Sequence, residues 1–164
     1  MDVKRVKSPD ADKLKIALKN LDGKVGKVGW FENSKYADKD STPVAAVAAQ
    51  NEYGNPNKHI PARPFMRPTI YAKQNEWSKI AENGSKSILK GDNTIYDVLQ
   101  LLGLKAAGDI KRTISKLTEP PLSPKTIAAR LSRRQDQSTI GLLTKPLIDT
   151  GIMLNTLTNS VEDE

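Results

Sequence analysis

The sequence predicts an α+β fold: a helix-dominated single domain with a small antiparallel sheet and an extended basic arm. Three patterns predict it. Two long stretches carry apolar residues at helical spacing, one short stretch alternates, and some thirty residues after Glu119 are broken repeatedly by proline and glycine. These divide the 164 residues into a core at 1–118, an arm at 119–148 and a closing helix or strand at 149–164 that packs back on the core.

The elements follow in order. Ser8, Pro9, Asp10 and Asp12 form a helix start, Leu14, Ala17, Leu18 and Leu21 repeat at helical spacing, and Gly23 stops the run. In Lys24-Val-Gly-Lys-Val-Gly-Trp-Phe31, Val28 and Trp30 alternate with Lys27 and Gly29, as in a short strand. Its glycines do not make a phosphate loop, because no Gly-Lys-Ser/Thr follows and no helix starts there. Thr42 and Pro43 open a helix from Val44 to about Tyr53, which Gly54 ends. The segment from Gly54 to Phe65 is a loop by its proline and asparagine density.

A long helix follows, with Met66, Ile70, Trp77, Ile80, Ala81 and Ile88 on one stripe, a potential break at Asn83-Gly84 and a stop at Gly91. Thr94 and Asp97 make a capping box, after which Ile95, Val98, Leu99, Leu102, Ala106, Ile110, Ile114 and Leu117 run down one face. In the arm, Ser123 caps a short helix through Leu131, with Ile127 and Leu131 as its large apolar contacts. Asp149 or Thr150 caps a last helix, expected to reach about Asn159. One strand cannot stand alone, so its partner is Asp2–Lys7, Asn159–Glu164 or a strand of another subunit.

Composition narrows the chemistry. Cysteine is absent and His59 is the sole histidine, so neither a disulfide framework, a Cys nucleophile nor a Cys/His zinc site can be assembled. Lys4, Arg5 and Lys7 are followed by no apolar run, and the longest apolar stretch, Val44 to Ala49, is far too short to span a membrane. The expectation is a soluble protein made in a cytoplasm. His59 reads as a surface or interface side chain, and no cofactor is implied.

The net charge of +7 is uneven. Residues 111–134 carry seven basic groups against Glu119, whereas the last 30 residues carry a net −4. A basic block followed by an acidic tail suits head-to-tail contact between copies, a solvated arm, or DNA binding through Lys125, Arg130, Arg133 and Arg134. Stacking aromatics are missing there, which disfavours single-strand recognition. Asp149-Thr150-Gly151 matches the aspartic-protease triplet, but Ile152-Met153-Leu154 is too bulky for two such loops to meet. A turn and helix cap explain the same residues.

Two stretches together carry a resemblance. Val47-Ala-Ala-Gln-Asn-Glu-Tyr-Gly54 leads into Ile60-Pro-Ala-Arg-Pro-Phe-Met-Arg-Pro68. Later, Pro121-Leu-Ser-Pro-Lys-Thr-Ile127 precedes Lys145-Pro-Leu-Ile-Asp-Thr-Gly151 and Leu154. This order resembles the virion-morphogenesis and tail-completion (neck, head–tail joining) proteins of tailed bacteriophages, and the Gly26–Trp30 strand is similar to that family's early strand. The resemblance implies a structural protein of a virion tail or neck, assembled in the host bacterial cytoplasm. It implies a homo-oligomeric ring that meets connector, neck, tail-tube or tail-terminator proteins, with passing double-stranded DNA as a further candidate partner. It makes Glu52, Tyr53, Gly54, Arg63, Pro64, Phe65, Arg67, Pro68, Asp149, Thr150 and Gly151 interface or structural residues. Phe65 and Met66 are expected to anchor the loop to the core, while Arg63 and Arg67 fork onto Glu52 or onto a neighbour's carboxylate. The resemblance does not extend to the role of the basic 127–138 stretch. The chain reaches Glu164 sooner than a full closing strand requires, which implies a sheet that is small or completed between subunits.

Overall fold

The computed structural model describes residues 15–16, 23–38, 40–133 and 143–163. Most of the expected first helix, the Asp2–Lys7 strand candidate and Arg134 lie outside them; Lys15 and Ile16 are helical. The described elements are β1 (Lys24–Gly29), α1 (Val44–Tyr53), a single 3-10 turn (Pro56–Lys58), α2 (Met66–Lys90), α3 (Ile95–Lys116), α4 (Pro124–Arg133), α5 (Ile152–Thr156) and β2 (Thr158–Asp163). The fold is α+β and helix-dominated, as the periodicities predict.

The partner strand is the C-terminal one. β2 pairs antiparallel with β1, from Lys24 opposite Asp163 to Gly29 opposite Thr158. Lys24 meets Asp163 and Lys27 meets Glu162 across the pair. Two strands alone are marginal, and α3 supplies the support. Leu99 packs on Gly26, while Gly103 lets Asn159 approach so closely that a methyl group there would lie 2.8 Å from its Cβ. Asn159 also donates to Gln100 at 2.8 Å.

α3 is the spine of the molecule. Thr94 and Asp97 complete the capping box at its start, and it packs against α2, β1 and β2. The core lies at its C-terminal half, where Ala107, Ile110 and Ile114 meet Val44 and Ala48 of α1, Phe65, Met153 of α5 and Leu157. Trp30 packs edge-on against Phe65, with ring centroids 5.9 Å apart, and donates its Nε1–H to the Met153 carbonyl at 2.8 Å.

Three expectations are corrected. α2 runs unbroken through Asn83-Gly84, because Gly84 is where α2 and α3 touch and its missing side chain admits Val98. The last helix starts after Gly151 rather than at an Asp149 or Thr150 cap, and it stops at Thr156, since β1 draws residues 158–163 into the sheet. In α4, Leu131 is 47% exposed whereas Arg130 is 7% exposed, so the arginine and not the leucine faces inward.

Candidate functional site

The two stretches that carry the resemblance come together at one end of the molecule. α1 ends at Gly54, whose φ of +77° brings its backbone against the returning loop; a Cβ there would sit 2.8 Å from the Ala62 nitrogen. Asn55 and Ile60 pair as a short bridge, and the Arg63 N–H donates to the Asn51 carbonyl at 2.7 Å. This pins the Pro61–Pro68 loop beside Glu52.

Glu52 is 4% exposed and sits at the N-terminus of α2. Its carboxylate accepts from the N–H groups of Phe65 (2.7 Å), Met66 (2.9 Å) and Arg67 (3.1 Å). Those are the donors a helix leaves unpaired in its first turn, and the carboxylate sits at the positive end of the dipole. The Arg67 side chain adds Nε to Oε1 at 2.9 Å and Nη2 to the Glu52 carbonyl, also at 2.9 Å. Burial favours the neutral acid, but these hydrogen bonds outweigh it and hold the Glu52 pKa below the ordinary carboxylate value. Arg67 then lies over the Tyr53 ring at 4.8 Å. Tyr53 itself is 68% exposed. Pro68 is exposed on the first turn of α2, Pro64 is half-buried and Phe65 is fully buried.

Arg63 does not fork onto Glu52. It is buried, and donates through Nε and Nη2 to the Pro120 and Pro121 carbonyls, each at 2.7 Å. Proline carbonyls have no companion N–H to pair in a ladder, so a buried guanidinium is an apt partner for them. The first stretch is thereby clamped to the start of the second.

The arm is clamped a second time. Arg130 of α4 donates Nη1 to the carbonyls of Leu143 (3.2 Å), Lys145 (2.8 Å) and Ile148 (2.9 Å), and its Nε lies 3.7 Å from Asp149. Arg133 donates to the same Asp149 oxygen at 2.9 Å. The Asp149 carboxylate therefore faces two guanidinium groups. It also helps burial to raise the pKa of Tyr36, burial being the larger cause. Thr150 accepts from the Ile152 N–H at 3.4 Å, and Gly151, at φ +77°, makes the turn into α5. The triplet is a turn held by arginines.

Between the clamps runs an open cleft of about 900 Å³, lined by residues of both stretches, among them His59, Arg63, Lys125, Arg130 and Asp149. Lys125 and His59 are exposed on its rim. Of the two arginines expected as cation contacts, Arg130 is buried among backbone carbonyls, whereas Arg133 stays exposed and donates to Asp149. Among the described residues, no cluster of His, Asp and Glu is placed to hold a metal ion.

Sequence reasoning misses the placement of three residues. Asp109 reads as the polar side of α3 but is buried, taking hydrogen bonds from Trp77 Nε1 (3.0 Å) and Lys105 (2.9 Å). Conversely Leu101 and Leu104, which adjoin the apolar stripe of α3, are 60% and 57% exposed. Their spacing of three, offset from the core stripe, is the signal available in the sequence. No family model, curated protein or solved structure matches the chain.

Proposed function

We propose that this chain is a structural virion protein of a tailed phage or prophage that acts in tail completion or head–tail joining by assembling into a ring. One observation carries the reading. The two resembling stretches, which start some seventy residues apart in sequence, are locked to one another by Arg63 and by a shared core through Phe65 and Met153. Their polar groups hold backbone in place: Glu52 holds the start of α2, Arg63 the prolines, Arg130 and Asp149 the return of the arm. What they leave outward is contact surface, namely Tyr53 under Arg67, Tyr71 at 81% exposure, and Leu101 with Leu104. Exposed Tyr, Arg and Leu on rigid backbone are the composition of a protein interface.

The DNA-binding alternative through 111–134 has less to draw on than the sequence alone suggests. Arg130 is buried among carbonyls and Arg133, although exposed, is engaged by Asp149, which leaves Arg112, Lys116 and Lys125 as the other exposed cations among the described residues of that block.

Gel filtration with light scattering tests the proposal on the pure protein, alone and mixed with tail-tube or connector protein. A closed oligomer of fixed stoichiometry, or a complex with either partner, is the expected result. A strict monomer that binds neither overturns it.

A further inference from the structure

The cleft between the two clamps carries a surplus of positive charge. Of the described residues that line it, Lys58, His59, Arg63, Lys125 and Arg130 are basic, and Asp149 is the one carboxylate. That carboxylate is already answered by Arg133 at 2.9 Å and by Arg130. Arg63 and Arg130 are buried against carbonyl oxygens, which hydrogen-bond a guanidinium without cancelling its charge. Lys58 and Lys125 stand exposed. The rest of the lining is largely apolar, with Val47 of α1, Ile60, Leu122, Leu147 and Met153 contributing. We propose that this cleft binds an extended acidic segment of a partner protein, with Asp or Glu residues interleaved with apolar ones.

Charge complementarity selects an anionic occupant, because a cleft lined by one sign of charge focuses its field on what approaches. The lining then selects a polypeptide. A duplex, whose major groove alone is about 12 Å wide, is too thick to enter a cleft of about 900 Å³. No Phe, Tyr or Trp is among the described lining residues, so a nucleic-acid single strand finds no stacking platform. A small anion requires donors that converge on it. Here the buried guanidiniums spend donors on backbone carbonyls, while Lys58 and Lys125 belong to different stretches of the chain. Cations spread over both walls, with apolar side chains among them, match a segment that alternates acidic and apolar residues. The walls are also set in advance by Pro61, Pro121, Pro124 and the Arg63 clamp, which lowers the ordering cost of binding. The proposal goes beyond ring assembly and does not rest on it. None of the described lining residues belongs to α3, where Leu101 and Leu104 lie.

Fluorescence anisotropy of the full chain with a fluorescein-labelled peptide of repeating Asp-Glu-Leu tests the proposal. Saturable binding that weakens as salt rises is expected. Lys58→Glu with Lys125→Glu is expected to weaken it by about tenfold or more, through two charge reversals at the cleft. Arg112→Glu with Lys116→Glu removes two exposed cations outside the cleft and is expected to change affinity by less than about twofold. All four substitutions are at exposed positions, so the fold is retained. A peptide with Ser in place of Leu is expected to bind about tenfold more weakly. Equal losses in the two double variants overturn the proposal, since the attraction is then to net charge alone. Equal binding of the Leu and Ser peptides overturns it for the same reason, and so does an absence of binding. Displacement of the peptide by duplex DNA, with DNA affinity lost in the Lys58→Glu and Lys125→Glu variant, overturns it in favour of a nucleic-acid site. Light scattering reads the oligomer separately, so failure here is distinguishable from failure of the ring.

Discussion

At the scale of single residues, Glu52 has the heaviest duty. A buried carboxylate is costly unless paired, and this one is paired four times over by the first turn of α2 and the Arg67 side chain. Glu52→Ala strands three first-turn N–H donors, that of Phe65 buried, and is expected to lower stability by about 2–4 kcal/mol. Urea unfolding checks this as a lower midpoint at unchanged slope. The pH dependence follows from the depressed pKa. The stabilisation is fully present above the unfolded-state value, about 4.3, and is lost as pH falls through the lower folded-state value. The difference between the native chain and Glu52→Ala is therefore expected to narrow on acidification below that range; a difference that widens contradicts the assignment. The sequence already offered Glu52 and Arg67 as partners, because Arg after a stiff Pro-rich loop needs a carboxylate. It did not offer Arg63 to Pro120 and Pro121, or Arg130 to three carbonyls. Backbone acceptors leave no mark in a side-chain pattern, and charge counting places every arginine at the surface by default.

At the scale of elements, α2, α3 and the strand Lys24–Gly29 were legible because each carries its own signal: a repeated stripe in α2, a capping box and a stripe in α3, and an alternation in the strand. The extent of α5 and β2 was not, since helix and strand compete over residues 150–163 and the choice is made by β1, far away in sequence. Gly84 shows the same division. Helix propensity reads it as a break, and the α2–α3 contact explains why it is there. Two of the three glycines of this helix pair, Gly84 and Gly108, make a matched test. At Gly84 an added Cβ would lie 2.3 Å from Val98 Cγ1, with nowhere for a stiff β-branched side chain to go, whereas at Gly108 nothing stands within 4 Å. Gly84→Ala gains about 1 kcal/mol of propensity but overpacks the interface by about 1–3 kcal/mol, for a net destabilisation. Gly108→Ala keeps the propensity gain alone and is expected to stabilise by about 0.5–1 kcal/mol. Thermal unfolding separates the two by sign. Adding Val98→Ala to Gly84→Ala is expected to cost less than Val98→Ala does alone, the mark of a direct contact.

At the scale of the whole molecule, charge and apolar surface exchange the parts the sequence suggested for them. Split along the chain, the +7 reads as a basic arm and an acidic tail ready to meet between copies. Folded, much of that complementarity closes within one chain: Glu162 and Asp163 face the lysines of β1, and Asp149 faces Arg130 and Arg133. The exposed ones among them contribute little and are screened by salt, and the buried Arg130 is already satisfied within the chain, so these charges offer a poor basis for a ring. The pair Leu101 and Leu104, one turn apart on the rigid spine of the fold, offers a better one, for two leucines more than half exposed give their area back only when another surface covers them. Replacing both with Glu is expected to leave the unfolding midpoint close to that of the native monomer, because neither side chain belongs to the core. It is expected to abolish the oligomer in light scattering. Raising the salt concentration on the native chain is expected to leave the oligomer intact, as an apolar contact requires and an ionic one does not allow. An oligomer that salt dissolves, and that the double Glu variant still forms, would move the interface from α3 back to the charged surfaces.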